Sequence, residues 1–192
     1  QIVANTYPNL KSYDPAFAYE LVIIVREGIR RMYELQENIF YYITAYNENY
    51  LMPKMPNTAG IENAILSGGY KYKDSEGLAS SKGHANLLGS GAIMQQVLVA
   101  ENILVELGYS VSVWSITSYN ELRRDAEECE RHNRLHPFEK PRTSYVQKLF
   151  ADINGPVVAV TDYMKALSSS IVQWMPKGFI ALGTDGYGLS ES

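Results

Sequence analysis

The 192-residue chain carries one cysteine, Cys129, and three histidines, His84, His132 and His136. A single thiol closes no internal disulfide, and without cysteine companions it makes no thiolate zinc site. Positive charge is not in excess either. The formal net charge is −4, and basic residues gather in nothing larger than the pairs Arg30-Arg31 and Arg123-Arg124. Such pairs read as solvated helix faces, and no nucleic-acid footprint is expected. No apolar run approaches the length of a membrane span, and no signal peptide is visible, so the expectation is a cytoplasmic protein with no membrane partner. Internal repeats and low-complexity tracts are absent.

What is present reads as a soluble α/β chain, with 46% hydrophobic and 20% charged residues. Residues 38–45 predict a strand. Ile39, Tyr41 and Ile43 take one face of it, and Phe40, Tyr42 and Thr44 the other. A strand that is apolar or aromatic on both faces needs cover on both. Ahead of it, Asp14-Pro15 suits a helix start, and Phe17, Leu21, Ile24, Gly28 and Met32 follow as one stripe. This helix and strand are too small for a core of their own and predict the tail of a larger unit, residues 1–45.

Residues 46–82 are punctuated by Pro53, Pro56, Gly60, Gly68, Gly69 and Gly77. They predict a linker with one short helix over 61–67. From residue 83 to 192 strands and helices alternate. Strands are expected at 85–88, 110–116, 157–160 and 179–182, and long helices on the stripes Ile93–Leu107, Leu122–Asn133 and Met164–Met175. Ser118 and Glu121 form a capping box, and Cys129 falls on the apolar stripe as a small core residue. The order favours a doubly wound, mostly parallel sheet with helices on both faces.

Several groups resemble chemistry in isolation. Gly89-Ser90-Gly91 follows a strand and precedes a helix, where phosphates bind, but Met94 stands where a dinucleotide fingerprint needs its third glycine. A tight turn is the better reading. His132 and His136 are four apart, as zinc ligands on a helix are. A metalloprotease pattern would need Glu at 133, where Asn133 stands, and Pro137 ends the helix at once, so His136-Pro137 reads as a terminator. Ser168, Ser169 and Ser170 lack the glycine elbow of a serine nucleophile. Asn47, Glu48 and Asn49 follow the carboxyl end of a strand, where sites gather in parallel sheets, although a hinge role competes. Asp185-Gly186 reads as loop geometry.

Blocks in one order along the chain carry a family resemblance. They are Ser12-Tyr-Asp-Pro-Ala-Phe-Ala-Tyr-Glu20, Tyr46-Asn-Glu-Asn-Tyr50 with Met52-Pro53, Leu87-Leu-Gly-Ser-Gly91 and Thr117-Ser118. Further on come Glu121-Leu122, Cys129-Glu-Arg131, Leu135-His-Pro137, Thr161-Asp-Tyr-Met-Lys165 and Leu182-Gly-Thr-Asp-Gly-Tyr-Gly188. The chain resembles the homodimeric type of pyruvate dehydrogenase, the thiamine-dependent decarboxylating component of the pyruvate dehydrogenase complex. Leu189 departs from the arginine usual in that family.

The resemblance implies that residues 1–45 end a pyrimidine-binding-type domain and that 83–192 form a transketolase C-terminal-like domain cut short at its end. It implies a parent that is a homodimer, uses thiamine diphosphate and magnesium, and acetylates the lipoyl group of dihydrolipoyl acetyltransferase. It also places the cofactor site and the proton-handling groups outside this chain. No catalytic, cofactor-binding or metal-binding residue is therefore expected here, and the chain reads as scaffold and dimer packing. The alternatives are a free-standing doubly wound module using the Gly89–Gly91 turn, or the last domain of another transketolase-like enzyme.

Overall fold

The computed structural model describes residues 1–47, 49–75 and 82–186. Glu48, Gly77, Gly188 and Leu189, named above, lie outside them. Among the described residues seven strands run in chain order as β1 (Leu10–Tyr13), β2 (Phe40–Ile43), β3 (Tyr70–Ser75), β4 (His84–Gly89), β5 (Ser110–Ser115), β6 (Val157–Met164) and β7 (Phe179–Thr184). The α-helices are α1 (Ala18–Ile29), α2 (Ile61–Leu66), α3 (Met94–Glu106), α4 (Tyr119–Leu135), α5 (Tyr145–Leu149) and α6 (Lys165–Ser169).

β1 and β2 pair in parallel. The larger sheet has the order β3-β5-β4-β6-β7, parallel throughout except for β3, which runs antiparallel to β5. Strand periodicity places alternate residues on opposite faces. Leu87, Val111 and Val113 therefore meet Met94 and Val97 of α3, together with Ala16 and Phe17 from the first unit. Leu88, Trp114, Val157 and Ala159 meet Leu122 and Ala126 of α4, Val146 of α5 and Leu167 of α6. The sheet is thus covered on both faces, as expected. Full burial of aliphatic side chains of this size contributes about 1.5–3 kcal/mol each.

Several local expectations are corrected. Asp14-Pro15 does not open α1. The helix begins at Ala18, and Glu20 in its first turn reaches back to the chain just ahead of it: its Oε2 accepts from the N–H of Ala16 at 2.6 Å and of Phe17 at 3.0 Å. Second, the residues ahead of that helix form β1, so the first unit is a strand, helix, strand crossover.

Third, β2 is not covered on both faces. Tyr41 packs on Gly28 and Tyr13, but Phe40 and Tyr42 are each 46% exposed. Among the described residues β2 has β1 as its one paired strand. Fourth, the glycine-punctuated stretch contains β3, whose Tyr70-Lys-Tyr-Lys alternation pairs with β5. Fifth, the long fourth helix is broken. Ser168 and Ser170 turn their hydroxyls onto the carbonyls of Lys165 (3.1 Å) and Leu167 (2.5 Å), and Ile171 leaves helical geometry at φ −105°, ψ 0°. Serine hydroxyls compete with the helix ladder in this way.

Helix α4 starts as expected, with Ser118 Oγ accepting from the Glu121 N–H at 3.0 Å. The Glu121 carboxylate does not close the box, because it pairs with Lys11 at 2.6 Å. Burial fades along this helix. Leu122 and Ala126 are fully enclosed, Leu135 is 65% exposed, and Cys129 is half-buried rather than a core residue.

Candidate functional site: the seam at the strand carboxyl ends

From β4 the chain passes through α3 to β5 on one side, and from β5 through α4 and α5 to β6 on the other. The carboxyl ends of β4 and β6 therefore flank a switch point, where doubly wound sheets bind ligands. The turn Gly89-Ser90-Gly91 lies at that point, and the first unit fills it. The Gly91 N–H donates to the Asp14 carbonyl at 3.0 Å, and the Asp14 N–H to the Thr117 carbonyl at 2.7 Å.

Gly91 sits at φ +52°. A Cβ there would stand 2.5 Å from the Tyr46 hydroxyl and 2.6 Å from Asp14 Oδ1, so glycine is required both by backbone angle and by space. Asp14 Oδ1 accepts from Thr44 Oγ1 at 2.5 Å and from the Tyr46 hydroxyl at 2.9 Å, and the Tyr163 hydroxyl lies 3.4 Å from that of Tyr46. Asp14 is 4% exposed, and its Oδ2 has no partner among the described residues. Burial pushes its carboxyl above the ordinary range, against the pull of the Thr44 hydrogen bond.

A second carboxylate ties α1 to the larger sheet. Glu20 is fully buried, and its Oε1 accepts from the Tyr70 hydroxyl at 2.7 Å and from Ser115 Oγ at 2.6 Å, while Oε2 takes the Ala16 and Phe17 N–H groups. Burial raises its pKa, and these four donors work in the opposite direction. A third set joins β1 to α4. Ser118 Oγ donates to the Ser12 carbonyl at 2.6 Å, Asn120 reaches Ser12 Oγ, and Arg124 donates to the carbonyls of Ala4 (3.1 Å), Tyr7 (2.6 Å) and Leu10.

Apart from Asp14 Oδ2, Ser90 Oγ and Asn120 Oδ1, which are buried, these polar groups are paired with one another, so the seam holds two units in register. Asn47 and Asn49 are exposed beside it. The nearby cavity, about 130 Å³, is lined by Pro15, Phe17, Leu21, Tyr50 and Met52 among others, with no lysine or arginine on its wall. Ligand pockets run to about 300–1,000 Å³, and a diphosphate needs cations or converging N–H groups. The residues here do not fit thiamine diphosphate. Asp185 is exposed on its loop and pairs with Lys165.

The remaining sequence candidates lie elsewhere. His84 Nε2 is 3.0 Å from Ser112 Oγ, which donates to Asp74 Oδ1 at 2.5 Å, in a polar cleft of about 430 Å³ at the opposite, amino end of the parallel strands. The Ser168 hydroxyl is bonded to its own helix, and His132 and His136 stack at the far end of α4. Sequence reasoning missed Asp14, Glu20, Thr44 and Tyr46 as the groups that make the seam. A usable signal was their position: Asp14 and Thr44 each directly follow a parallel strand.

The residues of the larger sheet, 68–192, match the model of the transketolase-like TK C-terminal domain, and the chain belongs to that family. Residues 1–53 match the pyruvate dehydrogenase E1 component middle domain. Over its whole length the chain is 48% identical to the pyruvate dehydrogenase E1 component of Pseudomonas aeruginosa and 48% to that of Escherichia coli K12. To the protein of that name from Mycolicibacterium smegmatis it is 41% identical. It spans about a fifth of these relatives, 21%, 21% and 20% respectively.

Proposed function

We propose that this chain is the scaffold portion of a pyruvate dehydrogenase decarboxylating component. In this reading residues 1–45 end the pyrimidine-binding-type domain, 46–82 cross between domains, and 83–192 form the transketolase C-terminal-like domain, with β3 of the crossing segment edging its sheet. The parent enzyme decarboxylates pyruvate on thiamine diphosphate with magnesium and passes the acetyl group to the lipoyl group of dihydrolipoyl acetyltransferase. It works in the cytoplasm as a homodimer. Both cofactors are held by other parts of the parent, and this chain's residues contribute rigidity and packing.

The observation that carries the proposal is the filled switch point. Asp14, Thr44 and Tyr46 occupy the place where a free-standing doubly wound module would bind its ligand. That arrangement argues against the rival use of the Gly89–Gly91 turn as a binding loop. The test exchanges this chain for the matching segment of the Escherichia coli relative. The chimera is expected to keep pyruvate-dependent acetyl transfer, and the isolated 192-residue chain to show neither CO₂ release from pyruvate nor saturable thiamine diphosphate binding. Turnover by the isolated chain, or a soluble chimera without activity, would overturn it.

A further inference from the structure

The carboxyl end of α4 gathers three metal-binding side chains that the seam does not use. His132 lies in the last turn, and His136 closes the helix with its N–H on the His132 carbonyl at 2.9 Å. Their rings stack with centroids 4.4 Å apart. The following loop folds back on the helix. Asn133 clamps it at both polar atoms, donating to the Arg142 carbonyl at 2.9 Å and accepting the Arg142 N–H at 2.8 Å. The Glu139 N–H donates to the His136 carbonyl at 3.1 Å, which closes the turn.

This clamp brings Glu139 to both rings. Its Oε2 is 3.5 Å from His132 Nε2, and its Oε1 is 3.1 Å from His136 Nδ1. One ligand atom from each of the three residues falls within a 4.8 Å set.

We propose that His132 Nε2, His136 Nδ1 and a Glu139 carboxylate oxygen form a three-ligand site for a divalent transition metal of the zinc type. Tetrahedral bonds of about 2.0–2.2 Å give ligand-to-ligand edges of about 3.3–3.6 Å. Each ring now faces a different oxygen of Glu139, at 3.5 Å and 3.1 Å, and the set spans 4.8 Å, so a small turn of the carboxylate and rings would bring one oxygen and two nitrogens onto one ion. Two imidazoles and one carboxylate select borderline metals over magnesium or calcium, which require oxygen ligands. The negative end of the α4 dipole favours a cation at this place. Half-exposure of His136 and Glu139 leaves an entry path and a fourth position for water.

His132 Nδ1 is buried without a partner among the described residues, so Nε2 is the nitrogen that ring offers. The same feature deprives His132 of the supporting acceptor that strengthens metal-bound imidazoles. Binding of roughly micromolar strength is therefore expected, not the far tighter binding of closed structural sites. Asn133 and Pro137 rule out a metalloprotease helix, not this arrangement. The carboxylate comes instead from beyond Pro137, and the residue at 133 serves as the clamp that delivers it.

The test is a titration of chelator-treated protein with zinc chloride by calorimetry, and with cobalt chloride by visible absorption. One equivalent of each metal, tetrahedral cobalt bands, and a melting temperature raised by zinc are expected, while magnesium chloride has no effect. H136Q and E139Q change exposed side chains and are expected to fold normally, with zinc binding weakened at least about tenfold each. H84Q alters the one other histidine and is expected to leave binding unchanged. Saturation only at about millimolar zinc, or binding that survives both H136Q and E139Q, would overturn the site.

Discussion

Glu20 is the most exacting place to test how the seam works. Glu20→Ala removes the acceptor for the Ala16 and Phe17 N–H groups and for Ser115 Oγ. The Tyr70 hydroxyl keeps one partner, the Tyr19 hydroxyl 2.5 Å away. Each buried donor left without an acceptor costs about 1–3 kcal/mol, and the lost side chain adds a cavity. Relief of burying a charge offsets part of this. The net expectation is a loss of about 3–5 kcal/mol.

Glu20→Gln behaves differently, because the two backbone donors cannot turn but the two hydroxyls can. An amide oxygen placed on the N–H pair and an amide nitrogen placed on Tyr70 and Ser115 keeps both backbone donors paired, with Tyr70 then donating to Tyr19, while the buried Ser115 hydroxyl gives up its acceptor. The loss is then the extra strength of a charged acceptor plus that one hydroxyl, about 1–3 kcal/mol. Urea unfolding with unchanged slope measures both variants. If Glu20→Ala lost less than about 1 kcal/mol, or Glu20→Gln lost more than Glu20→Ala, the account of the seam as a donor-matched acceptor would fail.

Two further outcomes follow from the same region. The Asp14 carboxyl is held above its ordinary value of 3.8, so the folded protein binds that proton more tightly than the unfolded chain. The resulting stabilisation is present below that value and is lost as pH rises through the folded pKa. The stability of wild type minus that of Asp14→Asn should fall as pH rises from about 4, and a flat or rising difference in urea midpoints would contradict the assignment. Gly91→Ala combines left-handed strain with overpacking against Tyr46 and Asp14 and should cost about 2–4 kcal/mol by thermal unfolding. Gly186→Ala, which opens onto free space, is the control and should stay within about 0.5 kcal/mol of wild type.

The parallel sheet was legible because its signals are local. Apolar runs such as Val157–Val160 and capping residues such as Ser118 are written in a few consecutive positions. The seam was not legible, because Asp14, Tyr46, Gly91 and Tyr163 are far apart in sequence and carry no periodicity. Asp14 before Pro15 looked like a helix cap, and its true role appears only once β1 and β2 bring it to Thr44. β3 was hidden by flanking glycines, although Tyr70 and Tyr72 alternate with lysines in strand fashion. The break after α6 depends on competition between serine hydroxyls and the helix ladder, which a hydrophobic stripe does not register. Glu139 escaped notice because its approach to the histidines is made by a loop held through Asn133.

The antiparallel strand β3 forms one rim of its sheet, and the segment leading into it comes from the first unit. Tension drawn along that segment would meet the ladder at its end, at the rung between Tyr70 and Ser115, and would part the rungs in succession rather than together. The four parallel strands behind it would keep their own pairing meanwhile. β3 is thus the element expected to yield first under load from that side, and its departure would draw the buried Tyr70 away from Glu20 and open the joint between the two units to water.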